Sequence, residues 1–166
     1  MIIDPALIDG LEQIGATVWE GQCWRHYFAG RDPLVPSTAG GRWSPPRTFA
    51  ALYASLSRQG AIVEGEHVIA RYSITPSRQR RVCRVAARLP RVVDLRPVGR
   101  LAVLGIEPDG LMAATERCAE IGSAANFLGW QGMLVPSVRH LDGNLVVLAD
   151  QLDPACDLAV VEDAAL

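Results

Sequence analysis

The sequence predicts a single α+β domain. At 166 residues the chain fits one domain, and a chain of this length buries roughly two-thirds of its unfolded surface. Segments with helical spacing of apolar residues are interspersed with short runs rich in Val, Trp and Tyr, which are typical of strands. No repeat, low-complexity tract or linker interrupts the chain, so we predict one domain over residues 1–166.

The first 56 residues predict a helix, a strand, a loop and a second strand. Residues 4–15 predict a short amphipathic helix, because apolar side chains share one face at Leu7, Ile8, Leu11 and Ile14. Thr17 to Phe28 predicts a strand, and so does Phe49 to Ser55. Between them, residues 29–47 are rich in glycine and proline and predict a long ordered loop, a feature that is usually functional in a compact domain.

The central part of the chain predicts a helix followed by strands. Ser57 to about Arg71 predicts a helix with Ser57 as its N-cap, although Gly60 and Gly65 weaken its helical propensity. Residues 80–95 alternate arginine with apolar residues, which predicts strands with one polar face.

The last third of the chain predicts two helices and two closing strands. Residues 97–104 predict a short helix with Pro97 in its first turn, and residues 110–129 a longer one. Met133–Val135 and Leu145–Leu148 predict strands. We expect both the short N-terminal helix and the acidic tail, from about residue 151, to be peripheral.

The composition indicates the class of protein but does not identify its binding partners. Apolar residues make up 49% and charged residues 20%, which is ordinary for a globular protein, and the net charge of −2 selects no partner. The N-terminus shows no signal peptide and no stretch approaches the roughly 18 apolar residues of a membrane helix. The four cysteines form no CxxC pair, and His26, His67 and His140 lack metal-site spacing. We therefore expect a cytoplasmic protein with neither a membrane partner nor a metal.

Arginine is unevenly distributed. All 16 basic residues are arginine, and nine of them fall between Arg71 and Arg100, where Asp94 is the only acid. Such a segment attracts an anionic partner. This leaves open an alternative function, in which the chain is a non-catalytic binding module whose 71–100 surface binds nucleic acid or an acidic protein.

Two arginines in separate segments are candidate phosphate ligands. Arg25 ends a mostly extended run at 18–25, and Arg42 lies in the glycine- and proline-rich loop. A guanidinium forms two parallel charge-assisted hydrogen bonds to phosphate, so the pair could clamp a pyrophosphate. The alternatives are a surface strand residue for Arg25 and a loop salt bridge for Arg42.

Four further polar residues are candidates for binding or chemistry. Tyr53 could stack on a base or remain a half-buried aromatic. Glu64 follows three apolar residues, and its carboxylate could stabilise an oxocarbenium-like state or simply lie on the helix surface. Ser137, after Pro136, could donate to phosphate or terminate a strand, and Asn144 could occupy a hairpin turn.

The order and context of these residues resemble the RES-domain family. The motifs are Gly-Gly-Arg-Trp-Ser-Pro-Pro at 40–46, Leu-Tyr-Ala-Ser at 52–55, Ala-Ile-Val-Glu at 61–64 and Leu-Val-Pro-Ser at 134–137. The resemblance covers about residues 19–148. It implies a fold similar to ADP-ribosyltransferases, with a split mixed β-core, flanking helices and NAD in a cleft.

The resemblance also implies an activity and partners. Family members are toxins of toxin–antitoxin pairs that cleave NAD at the nicotinamide–ribose bond and pass ADP-ribose to water, phosphate or a protein target. Their partner is an Xre-type antitoxin, and no direct contact with nucleic acid is implied. By matching position, catalysis would fall to Glu64 with Arg25 and Tyr53. NAD binding would use these residues: Arg25, Arg42, Trp43, Tyr53, Ser137 and Asn144.

Overall fold

A computed structural model describes residues 3–71 and 77–166, and it confirms the α+β class. The predicted Arg-rich segment 71–100 therefore lies partly outside the described residues. The elements in chain order are α1 (Pro5–Ile14), β1 (Thr17–Phe28), β2 (Ala51–Ser55), α2 (Arg58–Arg71), β3 (Arg80–Asp94), α3 (Arg100–Val103), α4 (Thr115–Phe127), β4 (Gly132–Val135), β5 (Asn144–Leu148), one 3-10 turn (Ala149–Gln151) and β6 (Asp157–Ala165).

The strands form a mixed sheet that closes into a ring. The order is β1-β2-β5-β4-β3-β6, and β1 pairs with β3 as well, so β1 to β5 form a barrel-like core. The β3–β4 pair is parallel and the other pairs are antiparallel. Alternate residues from all five strands pack together inside the ring: Cys23, Leu52, Ala54, Cys83, Val85, Leu89, Val92, Leu134, Leu145 and Val147.

A second apolar core lies between the outside of the ring and the helices. Side chains of α1 and α4 pack there against the outward residues of β2, β4 and β5 and against two aromatic residues of the 29–50 loop, Trp43 and Phe49. The helix α4 approaches this loop closely. An added Cβ at Gly122 would lie 1.7 Å from the backbone oxygen of Trp43.

Most predicted elements are confirmed to within a few residues, with two differences of length. The alternating segment 80–95 forms one 15-residue strand, because β1 pairs with it along most of its length. The predicted helix at 110–129 begins at Thr115 instead. Residues 107–114 form turns, in which the Gly110 amide donates to the Glu107 oxygen at 2.8 Å.

The acidic tail forms a mostly exposed strand at the edge of the sheet. Asp157–Ala165 forms β6, which pairs with residues 81–88 of β3. Its acids meet the arginines of that strand: Asp163 pairs with Arg81 at 2.8 Å and Glu162 with Arg84 at 3.0 Å. The strand's own charges explain the placement, since a basic edge favours an acidic neighbour.

The basic segment is largely compensated within the described residues. Beyond the two pairs with β6, carboxylates lie within 4.0 Å of Arg80, Arg88, Arg91 and Arg96. Such surface pairs stabilise the fold little, but they cancel much of the positive potential that the sequence suggests.

In the described part of the chain, no helix is both long and apolar enough to cross a membrane.

Candidate active site

Glu64 stands at the centre of a hydrogen-bonded cluster. Its Oε1 accepts from Ser137 Oγ at 2.9 Å and from Asn144 Nδ2 at 3.2 Å, and its Oε2 accepts from Arg139 Nη1 at 3.1 Å. The Nε2 atom of His140 lies 3.7 Å from Oε1. The side chain remains 27% exposed. The carboxylate is thus held at both oxygens while a ligand can still reach it.

Close packing of α2 on the sheet fixes the position of Glu64. The helix begins after Ser57, whose Oγ accepts from the Gly60 amide at 3.0 Å and confirms the predicted N-cap. An added Cβ at Gly65 would lie 2.3 Å from the His26 ring of β1, so glycine allows the helix backbone to rest on that imidazole. The glycine that weakens the helix by propensity therefore brings its neighbour Glu64 against the sheet.

Hydrogen bonds among Ser55, His140 and Asn144 form a buried polar layer next to the Glu64 cluster. Ser55 Oγ donates to Asn144 Oδ1 at 2.7 Å, and His140 Nε2 lies 3.1 Å from Ser55 Oγ and 3.2 Å from Asn144 Oδ1. Asp142 lies 3.9 Å from His140 Nδ1, a buried atom without a hydrogen bond. The Ser–His–Asp order suggests a hydrolase triad, but Ser55 is 2% exposed and directs its proton to Asn144. The layer orients Asn144 toward Glu64.

Arg25 lies where β1 and β2 separate. These strands share one pair, Trp24 with Ser55, although β1 pairs with β3 from Thr17 to Phe28. Beyond that pair, the Arg25 guanidinium donates to the backbone oxygens of Tyr53 at 3.4 Å and Val35 at 3.5 Å. Burial lowers the pKa of Arg25 from its ordinary value.

Arg25 faces the inside of the ring, two residues after the buried Cys23. Asn144 and Ser55 belong to the outward series of their strands, so Glu64 and Arg25 approach the β1–β2 junction from opposite faces of the sheet. No carboxylate of a described residue forms a salt bridge with Arg25. A partly buried cation with only long contacts to carbonyl oxygens is suited to bind an anion.

Tyr53 connects β2 to the loop. Its hydroxyl accepts from the Trp43 amide at 3.1 Å and lies 2.8 Å from Ser44 Oγ. Gly41 packs directly on the phenol, because an added Cβ would lie 2.7 Å from its Cζ. Burial raises the pKa of Tyr53, so the phenol stays neutral. The indole of Trp43 is 2% exposed in the core, which limits any contact of this residue with a ligand to its backbone.

Arg42 reaches the segment before α4. Its Nη1 donates to the backbone oxygens of Leu111 at 2.7 Å and Met112 at 3.3 Å. Like Arg25, it forms no salt bridge with a described carboxylate. The loop thus presents a second cation whose charge is not cancelled.

The structure gathers the predicted residues into two groups. Glu64, Ser137 and Asn144 share one cluster. Tyr53 lies on β2, two residues before Ser55, and its hydroxyl contacts the loop that carries Arg42. No hydrogen bond or salt bridge among the described residues joins Arg25 or Arg42 to Glu64, so a ligand would have to connect the two groups.

Three residues of the cluster were not expected from the sequence. They are Ser55, Arg139 and His140, which donate to or surround Glu64 and Asn144. A signal existed for each: Ser55 shares a strand face with Tyr53, Arg139 follows Ser137 by two residues, and His140 precedes Asn144 by four in the same hairpin connection.

Comparison with known proteins gives consistent matches. A family model described as the RES domain matches residues 21–166. Proteins of Mycobacterium tuberculosis and Mycobacterium bovis named NAD(+) phosphorylase MbcT are 32% identical over 158 residues, spanning 89% of this chain and 82% of the relative. The crystal structure of the M. tuberculosis MbcT–MbcA toxin–antitoxin complex aligns with a TM-score of 0.83 and 29% identity, over 99% of this chain and 94% of that one.

Proposed function

This chain belongs to the RES domain family, and we propose that it is a toxin that cleaves NAD at the nicotinamide–ribose bond. Inorganic phosphate is the first candidate acceptor of the ADP-ribosyl group, because the curated relatives are named NAD(+) phosphorylase. Transfer to water or to a protein target would use the same bond cleavage and is a second possibility for the last step.

The observation that carries the proposal is the environment of Glu64. Three donors, from Ser137, Asn144 and Arg139, direct their protons at its two oxygens, and the carboxylate still reaches solvent. Cleavage of a glycosidic carbon–nitrogen bond develops positive charge on the ribose, and a fixed carboxylate stabilises such a charge. A carboxylate already oriented by its neighbours needs little reorganisation when that charge develops.

The arginines and Tyr53 supply the binding part of the proposal. Arg25 and Arg42 lack salt-bridge partners among the described residues and would hold the pyrophosphate of NAD. Tyr53 would pack beside the nicotinamide end, with its hydroxyl tied to the loop at Ser44. Ser137 and Asn144 would position the carboxylate, whereas Trp43 would stabilise the loop from the core.

The reaction requires no external reagent beyond the acceptor. The bond between the ribose anomeric carbon and the pyridinium nitrogen breaks, and its electron pair leaves with neutral nicotinamide. An oxygen of hydrogen phosphate forms the new bond to the same carbon, which gives ADP-ribose 1″-phosphate. Since the leaving group needs no proton, an acid opposite Glu64 is unnecessary.

A comparison of Glu64→Gln with Glu66→Gln tests the proposal. Both residues lie on α2, but Glu66 has a 60% exposed side chain and a loose contact with Arg80 at 3.9 Å. Purified protein is incubated with NAD, with and without phosphate, and products are separated by chromatography. We expect Glu64→Gln to lose about 100-fold or more in nicotinamide release, and Glu66→Gln to stay within about twofold.

The products decide the acceptor. ADP-ribose 1″-phosphate that requires added phosphate supports a phosphorylase, free ADP-ribose a glycohydrolase, and a labelled protein in added lysate a transferase. A folded Glu64→Gln variant with full turnover would refute the mechanism. The absence of nicotinamide in every condition would favour the non-catalytic binding module instead.

The proposed partner is an antitoxin of the Xre type. The support is the aligned structure, which is of a toxin–antitoxin complex. Coexpression of a cognate Xre-type antitoxin should restore growth to cells that express this chain, and the two proteins should copurify. Growth inhibition that no such protein relieves would argue against this pairing.

A further inference from the structure

Arg139 is placed against the carboxylate by the connection between β4 and β5. Its backbone amide donates to Ser137 Oγ at 3.0 Å, and its Nη1 donates to Glu64 Oε2 at 3.1 Å. The first contact curls the chain around Ser137, and the second aims the guanidinium at Glu64. The side chain of Arg139 is 26% exposed, so this cation reaches solvent beside the carboxylate.

Among the described residues, the guanidinium of Arg139 donates only to Glu64. A guanidinium has five N–H donors, and one of its nitrogens bonds to Glu64. None of the other nitrogens is both buried and unpaired. By contrast, Arg81 and Arg96 each bond to a carboxylate through two nitrogens. Arg139 therefore combines a position fixed by Ser137 and Glu64 with N–H groups that donate to no other described residue.

The proposed reaction creates an electrostatic problem at this place. The acceptor oxygen must reach the same ribose carbon whose developing charge Glu64 stabilises. Hydrogen phosphate and the carboxylate are both negative, so they repel at short range. A cation that contacts the carboxylate and offers further donors to the solvent side removes this repulsion.

We propose that Arg139 binds the acceptor phosphate and thereby directs NAD cleavage toward phosphorolysis. The inference rests on the proposed function and deepens it by assigning the acceptor site. One edge of the guanidinium stays on Glu64, and the remaining N–H groups hold two phosphate oxygens in the bidentate manner typical of arginine. A third oxygen attacks the anomeric carbon as the electron pair of the broken bond leaves with nicotinamide.

This assignment divides the cations of the site between the two substrates. Arg25 and Arg42 would serve the pyrophosphate of NAD, and neither contacts Glu64. Arg139 serves the acceptor, since it touches the carboxylate at which the ribose must lie. The division predicts that a change at Arg139 affects the KM for phosphate and leaves the KM for NAD nearly unchanged.

Steady-state kinetics of Arg139→Gln and Arg139→Lys test this division. Arg88→Gln is the control, because Arg88 lies on β3 and forms a salt bridge with Glu20 of β1, and neither residue belongs to the cluster around Glu64. We expect Arg139→Gln to raise the KM for phosphate roughly 10- to 100-fold, as for the loss of hydrogen bonds to a charged group, with the KM for NAD within about twofold. Arg139→Lys should fall between, because it keeps the charge but not the fork. A fall in kcat with both KM values unchanged would show that Arg139 only positions Glu64 and would overturn the proposal.

Calorimetric titration of inorganic phosphate, without NAD, separates this inference from the proposed function. Phosphate binding to the wild type that weakens in Arg139→Lys supports the acceptor site even if no nicotinamide is ever released. Equal binding by the wild type and both folded variants, or no binding by the wild type, would overturn it. If Arg139→Gln does not fold, Arg139→Lys retains the salt bridge to Glu64 and carries both measurements.

Discussion

Substitution of Gly122 by alanine should destabilise the protein and disturb the loop that carries Arg42. An added Cβ would lie 1.7 Å from the backbone oxygen of Trp43 and 2.8 Å from its carbonyl carbon. Real Cβ contacts essentially never fall below 3.0 Å, so α4 and the loop would have to separate by about 1.3 Å. A rotamer change cannot relieve the contact, because the opposing atoms belong to the backbone.

The size of the effect follows from three contributions. Overpacking of a core costs about 1–3 kcal/mol, and a backbone contact belongs at the upper end of that range. Movement of Trp43 would also strain its 3.1 Å amide hydrogen bond to the Tyr53 hydroxyl, which contributes about 1 kcal/mol. The gain in helix propensity from glycine to alanine offsets about 1 kcal/mol. The net loss should be about 3 kcal/mol.

Urea denaturation followed by circular dichroism measures this loss. Ala119→Gly, on the same helix, is the matched control, because it reports the propensity contribution alone and should cost about 1 kcal/mol. A Gly122→Ala variant as stable as the wild type, or more stable, would mean that propensity outweighs the contact. It would refute the close approach of α4 to the loop.

Two further predictions concern titration. Cys23, Cys83 and Cys118 are buried, and burial raises the pKa of Cys23 to about 12. A thiol reagent at pH 8 should therefore label only the partly buried Cys156 of the native protein, slowly because burial raises the pKa of this thiol as well, and should reach four thiols after unfolding. A second thiol that reacts in the native protein would contradict the packing. Burial, aided by the Arg80 cation, lowers the pKa of His26 below 6.5. The unfolded chain therefore takes up this proton first, and the stability that His26 contributes is complete above pH 6.5 and is lost as the pH falls through the folded pKa. NMR titration of its ring protons should show a midpoint below 6.5, and a midpoint at or above 6.5 would contradict the buried contact.

The local pattern of residue types predicted most helices and strands. The prediction failed where a segment takes its structure from residues that are distant in the sequence. The strand at Thr17–Phe28 and the helix ending at Arg71 follow from residue type and spacing alone. The last strand does not, because its residues are exposed and acidic and resemble a tail until they meet the arginines of β3. The same omission made the 71–100 segment look like an open basic surface, since Asp163 and Glu162 come from the far end of the chain.

The candidate site was predicted in part for the same reason. Glu64 attracts notice because it interrupts an apolar run, and Ser137 and Asn144 because of the motifs around them. Nothing local indicates that Arg139 turns back to Glu64, since 75 residues separate them. The sequence suggested Gly65 as a weakness of the helix, whereas the fold uses it to bring α2 onto His26.

The hydrogen-bond donors around Glu64 also bear on how the acceptor of the ADP-ribosyl group is selected. Loss of nicotinamide from NAD needs no acid, so the residue beside the ribose must stabilise positive charge without being drawn into another proton transfer. Ser137, Asn144 and Arg139 all donate to Glu64 and leave it acting as an acceptor. Two of these donors are neutral, and the third carries the charge. If neutral donors alone sufficed to hold the carboxylate, an arginine would weaken its attraction for the ribose cation. Its presence is understandable when a second anion must approach, which links the fixed geometry of Glu64 to the choice of acceptor.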